Sequence, residues 1–254
     1  MKSRALTYLC LCVLALSPVM CGKNKSTNPT QSQYAVYDYS DTVALRAILD
    51  ANSLTAISAG SPSIVFMVND ANNNHRIQEL KLGNKGISVI PPQIGALSAM
   101  EILRLDSNAI SALPAEISRC TSLVRIELSN NQLATLPASI GSVHNLKNLV
   151  LSHNAISSLP QTLWTITSLT ELDLDYNHLD SLTSQVSNLT NLGSLLLNNN
   201  SLTTLPPSLE QIGALEYMQI DSNHICPSTL DAAFTVWLDQ RAEQHWDTTQ
   251  GTCP

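Results

Sequence analysis

Leu146-Lys147-Asn148-Leu149-Val150-Leu151-Ser152-His153-Asn154-Ala155-Ile156-Ser157-Ser158-Leu159-Pro160 carries the pattern Leu-x-x-Leu-x-Leu-x-x-Asn-x-Ile-x-x-Leu-Pro, and that pattern returns every 23 residues without insertion. Its frame begins at Ile77, Met100, Leu123, Leu146, Leu169, Leu192 and Leu215. The Asn recurs at Asn108, Asn131, Asn154, Asn177, Asn200 and Asn223, and the Leu-Pro pair at 113–114, 136–137, 159–160 and 205–206. A fixed period of this length marks a stack of equal coils, each burying its apolar side chains against the next.

Within one unit Leu149 and Leu151 alternate with polar residues, the two-residue period of a short strand with its leucines inward. Like strands from successive units then stack into a parallel sheet. The Asn after each strand stands where the chain turns inward, and its amide can donate to and accept from backbone groups that would otherwise be buried unpaired. Leu-Pro opens a return segment such as Ala138 to Val143, expected as a loose 3₁₀ or short helical turn. Cys120 takes the place of Leu97, Val143, Ile166, Leu189 and Ile212, which reads as a buried free thiol rather than a nucleophile. Two units depart from the pattern: the first has Lys85 where Asn belongs, and the fifth has Leu182-Thr183 for Leu-Pro.

These motifs resemble the leucine-rich-repeat family, in the 23-residue subtype of plant Ras-group and many bacterial members, over about 150 of the 254 residues. The resemblance implies an α/β solenoid: a right-handed superhelix with a parallel concave sheet, capped by a helix and strand at the N-terminal end and by a helix at the C-terminal end. It also implies a binding module rather than an enzyme.

Both ends read as caps. Asp41 to Ala51 has the spacing of an amphipathic helix with Asp41 near its start, Ile64 to Val68 reads as a strand, and the turn-prone 69–74 stretch folds it back toward Arg76 to Leu80. At the other end a helix is expected from about Thr229 to Glu243, with Leu230, Phe234, Trp237 and Leu238 on one face. This end resembles the C-terminal caps of extracellular bacterial leucine-rich-repeat proteins, which implies a disulfide between Cys226 and Cys253. Closing that 28-residue loop would stabilise the cap by roughly 3 kcal/mol in the chain-entropy account, and export would permit the oxidation. The divisions expected are a signal peptide over 1–20, a polar tether over 21–33, the N-terminal cap over 34–76, repeats over 77–225 and the disulfide cap over 226–254.

The leader has Lys2 and Arg4 before an apolar run, Ala5 to Leu16, too short to span a bilayer well. Pro18-Val19-Met20-Cys21 follows, then a polar tract. This resembles a bacterial lipoprotein signal with Cys21 as the lipid-bearing residue, although Pro18 and Met20 stand where such signals usually have Leu and a small residue. Cleavage at an ordinary site nearby is the alternative. The first reading places the protein on a lipid anchor in the cell envelope or outer membrane, the second in the periplasm or medium.

From Tyr34 onward nine basic residues face twenty acidic ones, which argues against nucleic acid or an anionic membrane as a partner surface. No catalytic, phosphate-binding or metal-ligand motif occurs, and the six histidines lack ligand spacing. No cofactor or metal is expected.

What remains is the concave face, where outward strand positions stack roughly 4.8 Å apart in columns. One runs Glu79, Ile102, Arg125, Asn148, Glu171, Ser194, Tyr217; the next Lys81, Arg104, Glu127, Val150, Asp173, Leu196, Gln219; a third Gly83, Asp106, Ser129, Ser152, Asp175, Asn198, Asp221. They suggest a basic-leaning zone at Lys81, Arg104 and Arg125, and an acidic one at Glu171, Asp173 and Asp175 with Asp221 two coils on. Tyr176, Tyr217 and His153 supply rings beside the latter, and Tyr and Arg are enriched in binding hot spots. The expectation is a protein or peptide ligand with a basic segment against the acidic zone. A structural or adhesive role toward tissue, glycan or matrix is the competing expectation.

Overall fold

The computed structural model describes residues 38–54, 63–69, 75–242, 246, 247 and 250. The leader, Cys21, the 70–74 turn and Cys253 lie outside the described residues.

An eight-stranded sheet runs in chain order: β1 (Val65–Asn69), β2 (His75–Lys81), β3 (Ile102–Arg104), β4 (Arg125–Glu127), β5 (Asn148–Val150), β6 (Glu171–Asp173), β7 (Ser194–Leu196) and β8 (Tyr217–Gln219). β1 pairs antiparallel with β2, and every later pair is parallel with a constant step of 23 residues. The central residue of each short strand, from Leu103 to Met218, is buried, while its neighbours face out. Each of β2 to β7 is followed on the return by a 3₁₀ turn, at Pro92–Ala96, Ala115–Arg119, Ala138–Ser142, Gln161–Thr165, Ser184–Asn188 and Pro207–Gln211. Parallel strands alternating with 3₁₀ returns, in one continuous core, make this a leucine-rich-repeat solenoid.

The asparagine ladder holds the coils together. Asn131 Nδ2 donates to Leu105 O of the preceding coil at 2.9 Å and to Leu128 O and Ser129 O of its own, while its Oδ1 accepts from Ile110 N at 3.0 Å. The same set recurs at Asn154, Asn177, Asn200 and Asn223. The residue before each Asn takes a left-handed conformation, from Ser107 at φ 57° to Ser222 at φ 55°. Asn84 keeps that conformation before Lys85, so the turn forms there without its amide, and Asn108 Oδ1 accepts from Lys85 N in addition to its regular ladder contact with Ile87 N. In the fifth unit Thr183 replaces the rigid Pro by accepting from Gln185 N.

The caps differ in detail from the sequence expectation. α1 spans Tyr39–Ala51, starting two residues before Asp41, because Asp38 is the N-cap and accepts from Ser40 N and Asp41 N. Asp41 instead sits buried under the helix, accepting two hydrogen bonds from Arg76 and one, at 2.7 Å, from Ile77 N. α2 is Ala232–Asp239, shorter than expected at both ends, with Asp231 as N-cap and Leu230 left outside it. Pro227–Thr229 forms a separate 3₁₀ turn. Phe234 and Leu238 bury one face of α2, and Trp237 stacks with the Phe234 ring and carries the Arg241 guanidinium 4.6 Å from its ring centroid.

Cys120 is buried and donates to Ile94 O. Burial, reinforced by the negative charge of Asp41, pushes its thiol up to about 12, so the nucleophilic thiolate is scarce in the folded protein at neutral pH.

Candidate functional site: the open face of the sheet

The strand register aligns Glu79, Ile102, Arg125, Asn148, Glu171, Ser194 and Tyr217 in one row of neighbours, and Lys81, Arg104, Glu127, Val150, Asp173, Leu196 and Gln219 in the next. Constant pairing across short parallel strands is enough to generate this array, since outward side chains of adjacent coils have nowhere else to stand.

Lys81, Arg104 and Arg125 do not form a basic zone. Arg104 donates to Glu79 at 2.8 Å and forks onto both oxygens of Glu127 at 2.8 and 2.7 Å. Arg125 pairs with Glu127 and lies 3.8 Å from Glu171, and Lys81 lies 3.1 Å from Glu79. Reading the columns for sign alone passed over the carboxylates interleaved one strand spacing away. The array is a near-neutral network of three cations and three carboxylates, in which, against the desolvation that raises it, hydrogen bonds from Arg104 and Lys81 hold the Glu79 carboxyl below the usual carboxylate range. Its net energetic value is modest because the groups are partly exposed. Its consequence is local rigidity.

Glu171 joins that network through Arg125, and the carboxylates past it lie in coils with no Lys or Arg. Glu171 is about one-third exposed and accepts from Asn148 Nδ2. Asp173 accepts from Asp175 N at 3.0 Å, and burial raises its pKa above the ordinary value despite hydrogen bonds from Asp175 N–H and Ser152. Asp175 accepts from Asn198 N at 2.6 Å, and Asn198 Oδ1 accepts in turn from Asp221 N at 2.8 Å, so the third column is tied coil to coil. Tyr176, 48 % exposed, occupies a left-handed position at the turn and stacks on His153 with centroids 4.1 Å apart. Tyr217 is 42 % exposed, two strands from Glu171 in the same row, and its hydroxyl accepts from Gln219 Nε2. Thus Glu171, Asp173, Asp175 and Tyr176 share one coil, Tyr217 and Asp221 lie two coils on, and Arg104 and Arg125 belong to the paired network before them.

Two features went unread in the sequence. Phe66, 54 % exposed, pairs with Glu79 and so extends the first row by an aromatic ring at its N-terminal end; an antiparallel partner breaks the 23-residue rule that found the rest. The chain also carries no Lys or Arg between positions 148 and 240, against nine Asp and Glu. That count was legible, and it means that no basic residue of β5 to β8 or their returns neutralises the acidic coils. Among the described residues no group of three His, Cys, Asp or Glu side chains is placed to hold a metal ion, and no helix is long and apolar enough to cross a membrane.

The family model described as leucine rich repeat matches residues 134–179. No curated protein matches the chain. Among solved structures, the chain is similar to a leucine-rich-repeat protein of Leptospira interrogans, with 29 % identity and a TM-score of 0.51 over 65 % of this chain and 47 % of that one. It is similar to the leucine-rich-repeat ectodomain of the plant membrane receptor kinase GASSHO1/SCHENGEN3 from Arabidopsis thaliana in complex with Casparian strip integrity factor 2, at 33 % identity and TM-score 0.51 over 55 % of this chain. It is also similar to the plant peptide hormone receptor RGFR1 in complex with RGF2, at 27 % identity and TM-score 0.52 over 59 %. The chain spans about half the length of the first of these, and 17 % and 25 % of the two receptors.

Proposed function

We propose that this leucine-rich-repeat protein is a non-enzymatic binding module acting outside the cytoplasm, which takes a basic segment of a polypeptide on the open face of β5 to β8. The observation that carries this reading is the contrast across the sheet. The cations of β2 to β4 are internally paired, with Glu171 at the edge of their network, whereas Asp173, Asp175 and Asp221 lie in coils with no Lys or Arg, beside the exposed rings of Tyr176 and Tyr217. A ligand cation there meets carboxylates of coils that supply no Lys or Arg of their own, while the ring faces supply apolar area. Two of the similar folds are receptors solved in complex with a named partner, one of them a peptide hormone receptor, which agrees with this use of the fold.

The test is anisotropy with Lys- and Arg-rich fluorescent peptides. Glu171→Lys is expected to weaken binding at least about tenfold and Tyr217→Ala by a similar factor, roughly the size of one hot-spot contact. Both positions are partly exposed, so folding should be kept. Affinity unchanged in both variants would remove the open face as the binding surface.

Export, lipidation at Cys21 and a Cys226–Cys253 bridge complete the proposal. The buried Cys226 is disulfide-bonded rather than free, which supports the last of these. Intact mass of membrane-extracted protein is expected to start at Cys21 with a diacylglycerol or triacyl adduct. Two thiols should become alkylated only after reduction, and Cys120 only after unfolding. A mass without lipid, or free thiols at Cys226 and Cys253, would contradict it.

A further inference from the structure

β1 ends the sheet, and among the described residues no strand pairs with its other edge. The far end of the sheet is closed: at β8, Met218 N donates to Arg241 O of the C-terminal cap, and Met218 bridges to Ala242. Along β1 the backbone groups alternate in direction. Lys81 N donates to Ile64 O, so Ile64, Phe66 and Val68 turn their backbone groups toward β2, and Val65, Met67 and Asn69 turn theirs away. The register partners agree with this, since Ile77 N donates to Asp41 and His75 O accepts from Asp38 N, neither of them in β1. The bulge in this pair skips Gln78 of β2, which leaves β1 without an inserted residue.

An open edge is a template for another strand, and proteins ordinarily blunt it with charge, proline or a covering segment. The stretch 63–69 has no charged residue and no proline, and Phe66 on its open-face side is 54 % exposed. Charge is also segregated along the chain. Residues 38–147 carry eight basic against nine acidic residues, whereas residues 148–254 carry one against eleven. A second copy of this acidic chain therefore meets least repulsion at the β1 end. From there the first acidic coil, at β6, lies five strand spacings or about 24 Å away, about three Debye lengths at physiological salt. β1 is complementary to itself as well. In an antiparallel pair centred on Met67, the outward groups of Val65, Met67 and Asn69 meet the same set in the second copy. Phe66 then stands opposite Val68 of that copy on each side of the axis, an aromatic and β-branched cross-strand pair.

We infer that β1 is a homodimer edge: two copies join antiparallel across a two-fold axis at Met67, making one sheet continuous through both solenoids with the acidic coils at its far ends. A contact of one strand pair is small, so the dimer is weak and concentration-dependent, in the micromolar range. It is separate from the acidic coils of the open face and does not depend on what binds there.

The experiment is sedimentation velocity of the full chain over a concentration series, with residue-resolved amide exchange at the lowest and highest concentrations. The expected result is a monomer–dimer equilibrium in which the amides of Val65, Met67 and Asn69 gain protection on concentration while those of β5 to β8 do not change. Phe66→Lys is expected to weaken the dimer at least about tenfold. Phe66 is exposed, so that variant should keep the circular dichroism and melting of the wild type, and Glu171→Lys should leave the dimer unchanged. A chain that stays monomeric at every concentration would overturn the inference. So would a dimer that Phe66→Lys does not weaken, or one that protects another surface. Protection of β1 by an added extended peptide, with the chain itself monomeric, would replace it with strand addition from another protein.

Discussion

Asn177→Ala is expected to destabilise the protein by about 3 kcal/mol, from one buried amide left without an acceptor at ~1–3 kcal/mol and the loss of a second hydrogen bond at each of several carbonyls. The side chain is 4 % exposed and serves four backbone groups. Its Nδ2 donates to Leu151 O, Leu174 O and Asp175 O, and its Oδ1 accepts from Ile156 N. Alanine leaves the Ile156 N–H buried without its acceptor and takes one donor from each of Leu151 O, Leu174 O and Asp175 O, which keep Asn154 Nδ2, Asn200 Nδ2 and His153 N respectively. Asn108→Ala should cost less, because Asn108 is only half-buried at the first turn. Urea unfolding with two probes checks both. Since each coil contacts only its neighbours, losing a central rung should also lower the apparent m-value as cooperativity splits. Equal small losses at Asn108 and Asn177 would mean that the ladder fills space without holding the coils together.

Asp41→Ala is expected to cost about 3–5 kcal/mol, the usual penalty for leaving one partner of a buried ion pair behind. Asp41 is 1 % exposed and accepts from Arg76 Nε and Nη2, each at 3.1 Å, and from Ile77 N. Removing it leaves the partly buried Arg76 guanidinium without this carboxylate, and takes the acceptor from the first amide of the repeat frame. Arg76→Ala in the same chain should recover part of the loss, because the abandoned charge is then gone. Hydrogen exchange should show protection falling in α1, β1 and β2 while β5 to β7 keep theirs. Uniform loss along the sheet would mean that the cap is not a separate cooperative element.

The strand register was legible because a 23-residue period admits one alignment of coils, and a shift by one residue would turn Leu149 and Leu151 outward. The Asn role was legible from the chemistry of a buried amide. Asp41 was not, since a carboxylate near a helix start reads locally as a capping group, and its partner lies 35 residues away. The Arg104 fork was missed for a related reason: a column lists signs, whereas the energy depends on geometry across columns. Phe66 was invisible because it lies on the one strand outside the repeat.

Peptide-display selection on the full chain, followed by hydrogen-exchange footprinting of the bound complex, tests the central claim most directly. Selected peptides should be rich in Lys or Arg, bind less tightly as salt rises, and protect Glu171–Asp173, Ser194–Leu196 and Tyr217–Gln219. Acidic or apolar peptides that bind independently of salt, or protection confined to the 3₁₀ returns, would contradict it.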